Sequence, residues 1–131
     1  MAKVVAVIFL NDKKEILLYL RDDKLTIPYP NTWALLGGHL ENNETKLEGL
    51  KREINEEIGY VIKNPEFLDK LDDGVGNEVY VYKDFIDRKV EEINLTEGQK
   101  LVFFKFEDAL NLKIPKPLKN FLVKHKQKIL S

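Results

Sequence analysis

The stretch REINEEIG, Arg52–Gly59, gathers acid where an isolated helix would resist it. Glu53, Glu56 and Glu57 stand at i, i+3 and i+4, so their carboxylates share one side of any helix built there. Gly59 is a natural helix stop, which places all three near the negative pole of the macrodipole. Each like-charge pair costs about 0.2–0.5 kcal/mol, and each acid at that pole roughly 0.3–1 kcal/mol. Such a cluster invites a compensating cation. Hard divalent ions take oxygen ligands, and magnesium combines a few carboxylates with water and substrate phosphates. A solvated glutamate-rich helix is the competing reading, and REINEEIG alone leaves both open.

The elements that would hold this stretch are legible on either side of it. Asn42–Asn43 are candidate caps for a helix running from Glu44 or Thr45 to Ile58. At about 100° per residue, Leu47, Leu50, Ile54 and Ile58 form a stripe displaced from the acids, so one face packs while its neighbour gathers charge. Arg52 lies at i+4 from Glu48 and i−4 from Glu56, within reach of both. Gly37–Gly38 breaks the chain just upstream and lets backbone approach a ligand closely. KVVAVIFL (Lys3–Leu10) is nearly continuous in apolar residues, as a strand covered on both faces requires. EILLYLR returns after NDKK as a hairpin partner, and WALL is a short extended piece. PEFLDKLDD, NEVYVYKDFID and LVFFKF read as further strands, EDALNL as a helical turn and LKNFLVKHKQKIL as a closing amphipathic helix. Its basic end, KHKQKIL, reads as the solvated side of that helix, with Leu118, Phe121, Leu122 and Ile129 as its packed side.

From Gly38 the chain runs five residues to Glu44, seven more to Arg52, and then Glu53, Ile54, Asn55, Glu56, Glu57, Ile58, Gly59 and Tyr60. This resembles the signature of the Nudix hydrolases at every charged and glycine position. Tyr60 replaces the usual aliphatic residue, and Leu36 stands where a proline commonly precedes the double glycine. The order of strands and helices is also similar to that family across nearly the whole chain. The resemblance implies an α/β fold, an α/β/α sandwich with a mixed curved sheet and a loop–helix unit, as one domain over residues 1–131.

It further implies a metal-dependent hydrolase that cleaves the diphosphate linkage of a nucleoside diphosphate joined to another group. The first substrate class is a nucleoside triphosphate, an oxidised one included; the second is ADP-ribose or a nucleotide sugar. Magnesium or manganese would be held by Glu53, Glu56, Glu57 and a later loop glutamate. Glu97, in LTEGQ, is favoured over Glu91 and Glu92. The catalytic set is then Glu53, Glu97 and Arg52, with Arg52 and Glu44 orienting the loop–helix unit and Gly38 and Gly59 shaping its ends. Arg21, Gly37, Gly38, His39 and Trp33 are candidate substrate contacts; Tyr29 and Trp33 are the aromatic groups able to stack on a base. A packing role under the proline-containing loop is the alternative for both.

Composition narrows the field further. The chain has 131 residues and a net charge of −1, with 21 basic against 22 acidic side chains, which argues against a nucleic-acid partner held by bulk phosphate attraction. It has no cysteine, excluding disulfides, thiolate metal sites and cysteine nucleophiles. The N-terminal apolar run is too short for a signal peptide, and no segment approaches the roughly 20 apolar residues of a membrane span. A cytoplasmic protein with a small nucleotide substrate and no membrane partner is the expectation, with a homodimer by family analogy alone. A non-catalytic Nudix-fold module that binds or senses nucleotide is the alternative function.

Overall fold

The computed structural model describes residues 1–131. Strand β1 (Ala2–Leu10) is apolar on both sides because both are covered: Val5, Val7 and Phe9 join one core, while Ala6 and Ile8 join the other. It runs parallel to β6 (Asn77–Phe85) and antiparallel to β4 (Leu36–His39), and meets β2 (Ile16–Leu20) at Leu10 and Ile16. β2 in turn carries β3 (Trp33–Ala34) and β7 (Lys100–Phe104), and β5 (Glu66–Asp72) closes the outer edge of β6. The sheet is therefore mixed, as expected.

Helix α1 (Lys46–Ile58) covers the first face through Leu50, Ile54 and Ile58. The second face is covered by α2 (Phe106–Ala109), α3 (Lys116–Lys124) and α4 (Lys126–Leu130), through Phe106, Leu118, Phe121, Leu122 and Ile129. Leu50, Ile54, Leu122 and Ile129 are fully buried, and each such side chain contributes about 1.5–3 kcal/mol on leaving water. The layering is the expected α/β/α arrangement. The basic side of the closing helix faces solvent, as read from sequence, although the helix is interrupted at His125.

Three details depart from the sequence reading. Gly37 and Gly38 do not break the chain; they lie within β4, opposite Ala6 and Val5 of β1. The cap of α1 is Thr45, not Asn42 or Asn43. Its hydroxyl accepts the Glu48 N–H at 3.1 Å while the Glu48 carboxylate accepts the Thr45 N–H at 2.8 Å. Glu48 is thereby turned away from Arg52. Leu47 is 48% exposed and leaves the apolar stripe, because only the C-terminal part of α1 lies down on the sheet.

Leu36, in the place of the family's proline, is fully buried opposite Val7 in the β4–β1 ladder. A residue with an N–H and a packed side chain suits a strand there. Tyr60 fills the core beside α1, edge-on to Phe9 at 5.7 Å, but its buried hydroxyl has no partner. An unsatisfied buried hydroxyl costs about 1–3 kcal/mol. Tyr60→Phe is therefore expected to raise the unfolding free energy by about 1 kcal/mol, read from urea denaturation midpoints.

Candidate active site

The loop entering α1 is tied to the middle of that helix by Arg52. Its Nε–H and Nη2–H donate to the two Glu44 oxygens at 2.6 and 3.0 Å, and Nη2 also donates to the His39 carbonyl at 3.1 Å. Nη1 reaches Glu53 at 3.0 Å and Glu56 at 3.3 Å. The Glu44 carboxylate holds the guanidinium proton more tightly still, and Arg52 in turn keeps Glu44 below the ordinary carboxyl range. Arg52 thus spends its donors on the protein. The sequence reading placed it among the catalytic groups; its geometry is that of a brace for the loop and for the neighbouring acids. Gly49 was missed. A side chain there would collide with Leu40 at 2.3 Å and crowd the Glu44 carboxylate, and its signal was a glycine inside an otherwise regular helix.

The three acids of the helix separate in space. Glu56 is exposed and Glu53 is partly covered against Gly38, whereas Glu57 is 3% exposed. One Glu57 oxygen accepts the Gly37 N–H at 2.9 Å on the unpaired edge of β4; the other, Oε2, is buried with no partner. Burial first, and then the charge of Glu97, push the Glu57 carboxyl up to about 9. Glu97 therefore stands directly across from Glu57, while Glu92 caps its own turn at Lys89 and, with Glu91, lines a different hollow. Tyr19 sits beside this pair, its phenol pushed up to about 12 chiefly by burial, and accepts an N–H from Arg21 at 3.3 Å. Sequence alone had no signal for Tyr19, which looks like any other strand residue.

These acids do not stand in a ready-made cage: no three carboxylate or imidazole side chains converge at ligand positions. The donor set nevertheless fits a hard divalent ion. It is all oxygen, and the orphaned Glu57 oxygen has otherwise no reason to be buried. Glu57, Glu53 and Glu97, with Glu56 turning from Arg52, are the groups able to hold it.

The Gly37–Gly38–His39 segment also forms one rim of a cleft of about 340 Å³. His39, Val4, Val79 and Leu71 lie in one row across four strands, and Val4, Val79 and Leu71 give its floor an apolar surface. Arg21, Tyr19 and Glu97 border the cleft at the acidic end, and Tyr29, Asp73 and Asn77 also line it.

The NUDIX domain family model matches residues 1–124. The chain belongs to the Nudix family. A nucleoside triphosphatase from Escherichia coli, NudI, is 39% identical over 56 residues, or 43% of this chain. That match spans only 38% of the length of NudI. The MutT protein of Methanosarcina mazei Go1 superposes with a TM-score of 0.85 at 20% identity, over 97% of this chain and 94% of that one. The NUDIX domain of Shewanella oneidensis NrtR, solved with ADP ribose, superposes at 0.77 with 15% identity, over 100% of this chain and 89% of that one. At such identities the two structures establish the shared fold.

Within this Nudix frame, Arg21, Gly37, Gly38 and His39 border the cleft together with Glu97. Trp33 does not. Its ring stands edge-on to Phe104 at 4.8 Å, under Lys100, because pairing of β3 with β2 turns it toward β7. Tyr29 does line the cleft, yet its hydroxyl is committed to the Asp73 carbonyl at 2.7 Å. No helix is long and apolar enough to cross a membrane.

The Glu57 carboxyl has a direct pH consequence. Folded protein without metal keeps a proton that the unfolded chain releases near pH 4.5, so stability falls as pH rises from about 4.5 to about 9. Thermal melts of the metal-free protein should show this decline, and Glu57→Gln should flatten it. Glu44 acts in the opposite sense and only at lower pH. Because a bound cation must displace the same proton, magnesium binding should strengthen with pH and release protons in unbuffered titrations.

Proposed function

We propose that this chain is a magnesium- or manganese-dependent pyrophosphohydrolase acting on a nucleoside diphosphate linked to a further group, with residues 1–131 working as one domain. A nucleoside triphosphate, an oxidised one included, is the first substrate class, and ADP-ribose or a nucleotide sugar the second. The observation that carries the reading is Glu57: a buried carboxyl with an unpartnered oxygen, across from Glu97, at the free edge of β4 beside a nucleotide-sized cleft. The 39% identity of part of the chain to a nucleoside triphosphatase supports the first class.

In hydrolysis a water attacks one phosphorus in line, the bridging P–O bond breaks, and the water's proton passes to a carboxylate. A bound divalent ion supplies charge neutralisation at the diphosphate oxygens and acidifies the attacking water. The protein's own part is positioning. Arg52 and Glu44 hold the loop against the helix, Gly38 leaves room for the Glu53 carboxylate, and Glu97 is the base we assign. The cleft floor takes the nucleoside, and Arg21 and His39 lie where phosphate would pass.

The test is phosphate and nucleotide release from a panel of nucleoside triphosphates, nucleotide sugars and ADP-ribose, with and without magnesium. Metal-dependent release from one class is the expected result. Tight binding without turnover across the panel would replace this reading with a nucleotide-sensing module.

A further inference from the structure

Glu97 reaches Glu57 from a loop that ought to wander, yet that loop is mounted at both ends. Ile93 and Leu95 pack against the core below α1, so the approach is anchored. Thr96 then folds back on the end of the helix that carries the acids. Its N–H donates to the Glu57 carbonyl at 3.0 Å, and its hydroxyl lies 3.1 Å from the Glu56 carbonyl and 3.2 Å from that of Glu57. The last carbonyls of a helix have no partners within it. Thr96 supplies donors to two of them from about forty residues away in sequence, and in doing so softens the negative pole beside which the acids stand.

On the far side, the Gln99 N–H donates to the Leu20 carbonyl at 2.8 Å. Its side-chain amide bridges the Arg21 carbonyl at 2.8 Å and Asn31 Oδ1 at 3.0 Å. Only Glu97 and Gly98 lie between the two mounts. Gly98 lies so close to the Leu20 carbonyl and the Tyr19 ring that a side chain there would sit 2.7 Å from each.

We infer that Thr96 is a positioning residue for the metal site, fixing Glu97 against Glu57 by tying its loop to the main-chain carbonyls of Glu56 and Glu57 themselves. The acids and their late-arriving partner thus share one backbone reference. This rests on the reading of Glu97 and Glu57 as metal ligands. Thr96 touches neither substrate nor metal and acts through Glu97.

The experiment titrates the full chain with Mn²⁺ alone, read by calorimetry and by the electron paramagnetic resonance of free Mn²⁺. Thr96→Val keeps the branched shape and loses the hydroxyl. It should weaken Mn²⁺ binding about tenfold, the lower end of what supporting groups around a metal are worth. Thr96→Ser should restore the parent affinity, and in a Glu97→Gln background Thr96→Val should cause no further loss. Thr96 is exposed, so Thr96→Val is expected to fold; Thr96→Ala, titrated in the same way, replaces it if melting shows otherwise. A lowered melting temperature with unchanged Mn²⁺ affinity would make Thr96 merely structural and overturn the inference. Glu97→Gln separates the two levels: if it loses Mn²⁺ while Thr96→Val does not, the inference alone fails. If Glu97→Gln also binds Mn²⁺ as the parent does, the metal role of Glu97 falls with it.

Discussion

Glu57→Gln should lower hydrolysis by more than about 100-fold, since losing a metal ligand exceeds the 10–100-fold typical of groups that only support one. The folded protein should survive the change intact. Glutamine matches glutamate in shape, its oxygen can still accept the Gly37 N–H, and its amide can donate toward Glu97, where the acid suffers repulsion. At pH 9 the variant should melt no lower than the metal-free parent, because it has no buried carboxyl to ionise. Loss of turnover with stability kept or gained is the signature of a group retained for chemistry at the expense of the fold. Loss of both together would instead make Glu57 a structural acid. Melting curves across pH and steady-state rates on the same preparations decide between them.

The second large effect separates two adjacent glycines. A methyl group at Gly37 would sit 2.0 Å from the Val5 carbonyl oxygen and 2.7 Å from the Ala6 Cα, with φ at +152°. Backbone on the central strand cannot move aside. Gly37→Ala should therefore destabilise by several kcal/mol, at or beyond the roughly 4 kcal/mol that marks exceptional substitutions. At Gly38 the same methyl meets only the Glu53 carboxylate, between 2.3 and 2.6 Å away. That group is the far end of a flexible side chain and can swing clear. Gly38→Ala should cost about 1 kcal/mol of stability, yet reduce turnover about 100-fold, because displacing a site group by 1 Å is enough for that. Urea denaturation of both variants beside their rates gives the contrast: one loses its fold, the other its chemistry. Equal destabilisation would remove the distinction drawn here between the two positions.

Much of this was legible before any coordinates. The alternation from strand to acidic helix, the double glycine and the spacing of Glu44, Arg52 and the three glutamates all read correctly as a loop–helix unit on a sheet. They did so because each is local: capping, turn formation and helical spacing depend on residues within a turn or two of each other. Even the misplaced cap was recoverable, since Thr45 followed by Glu48 is a capping-box pattern. The errors came where a neighbour distant in sequence decides. Leu47 reads as core but lies beyond the sheet's reach, and Trp33 reads as a base-stacking group but is turned onto Phe104 by strand pairing.

The local chain determined that Glu53, Glu56 and Glu57 share a side of one helix and that a cation or solvent must answer their charge. Which of them is buried was settled by the unpaired edge of β4. It takes Glu57 out of water and leaves Glu56 in it, though they are consecutive. Tertiary packing likewise chose Glu97 over Glu91 and Glu92, by seating its loop on the end of the helix. Spacing along a helix assigns direction, whereas desolvation depends on what the rest of the chain brings up against it, and the latter sets a carboxyl's proton affinity.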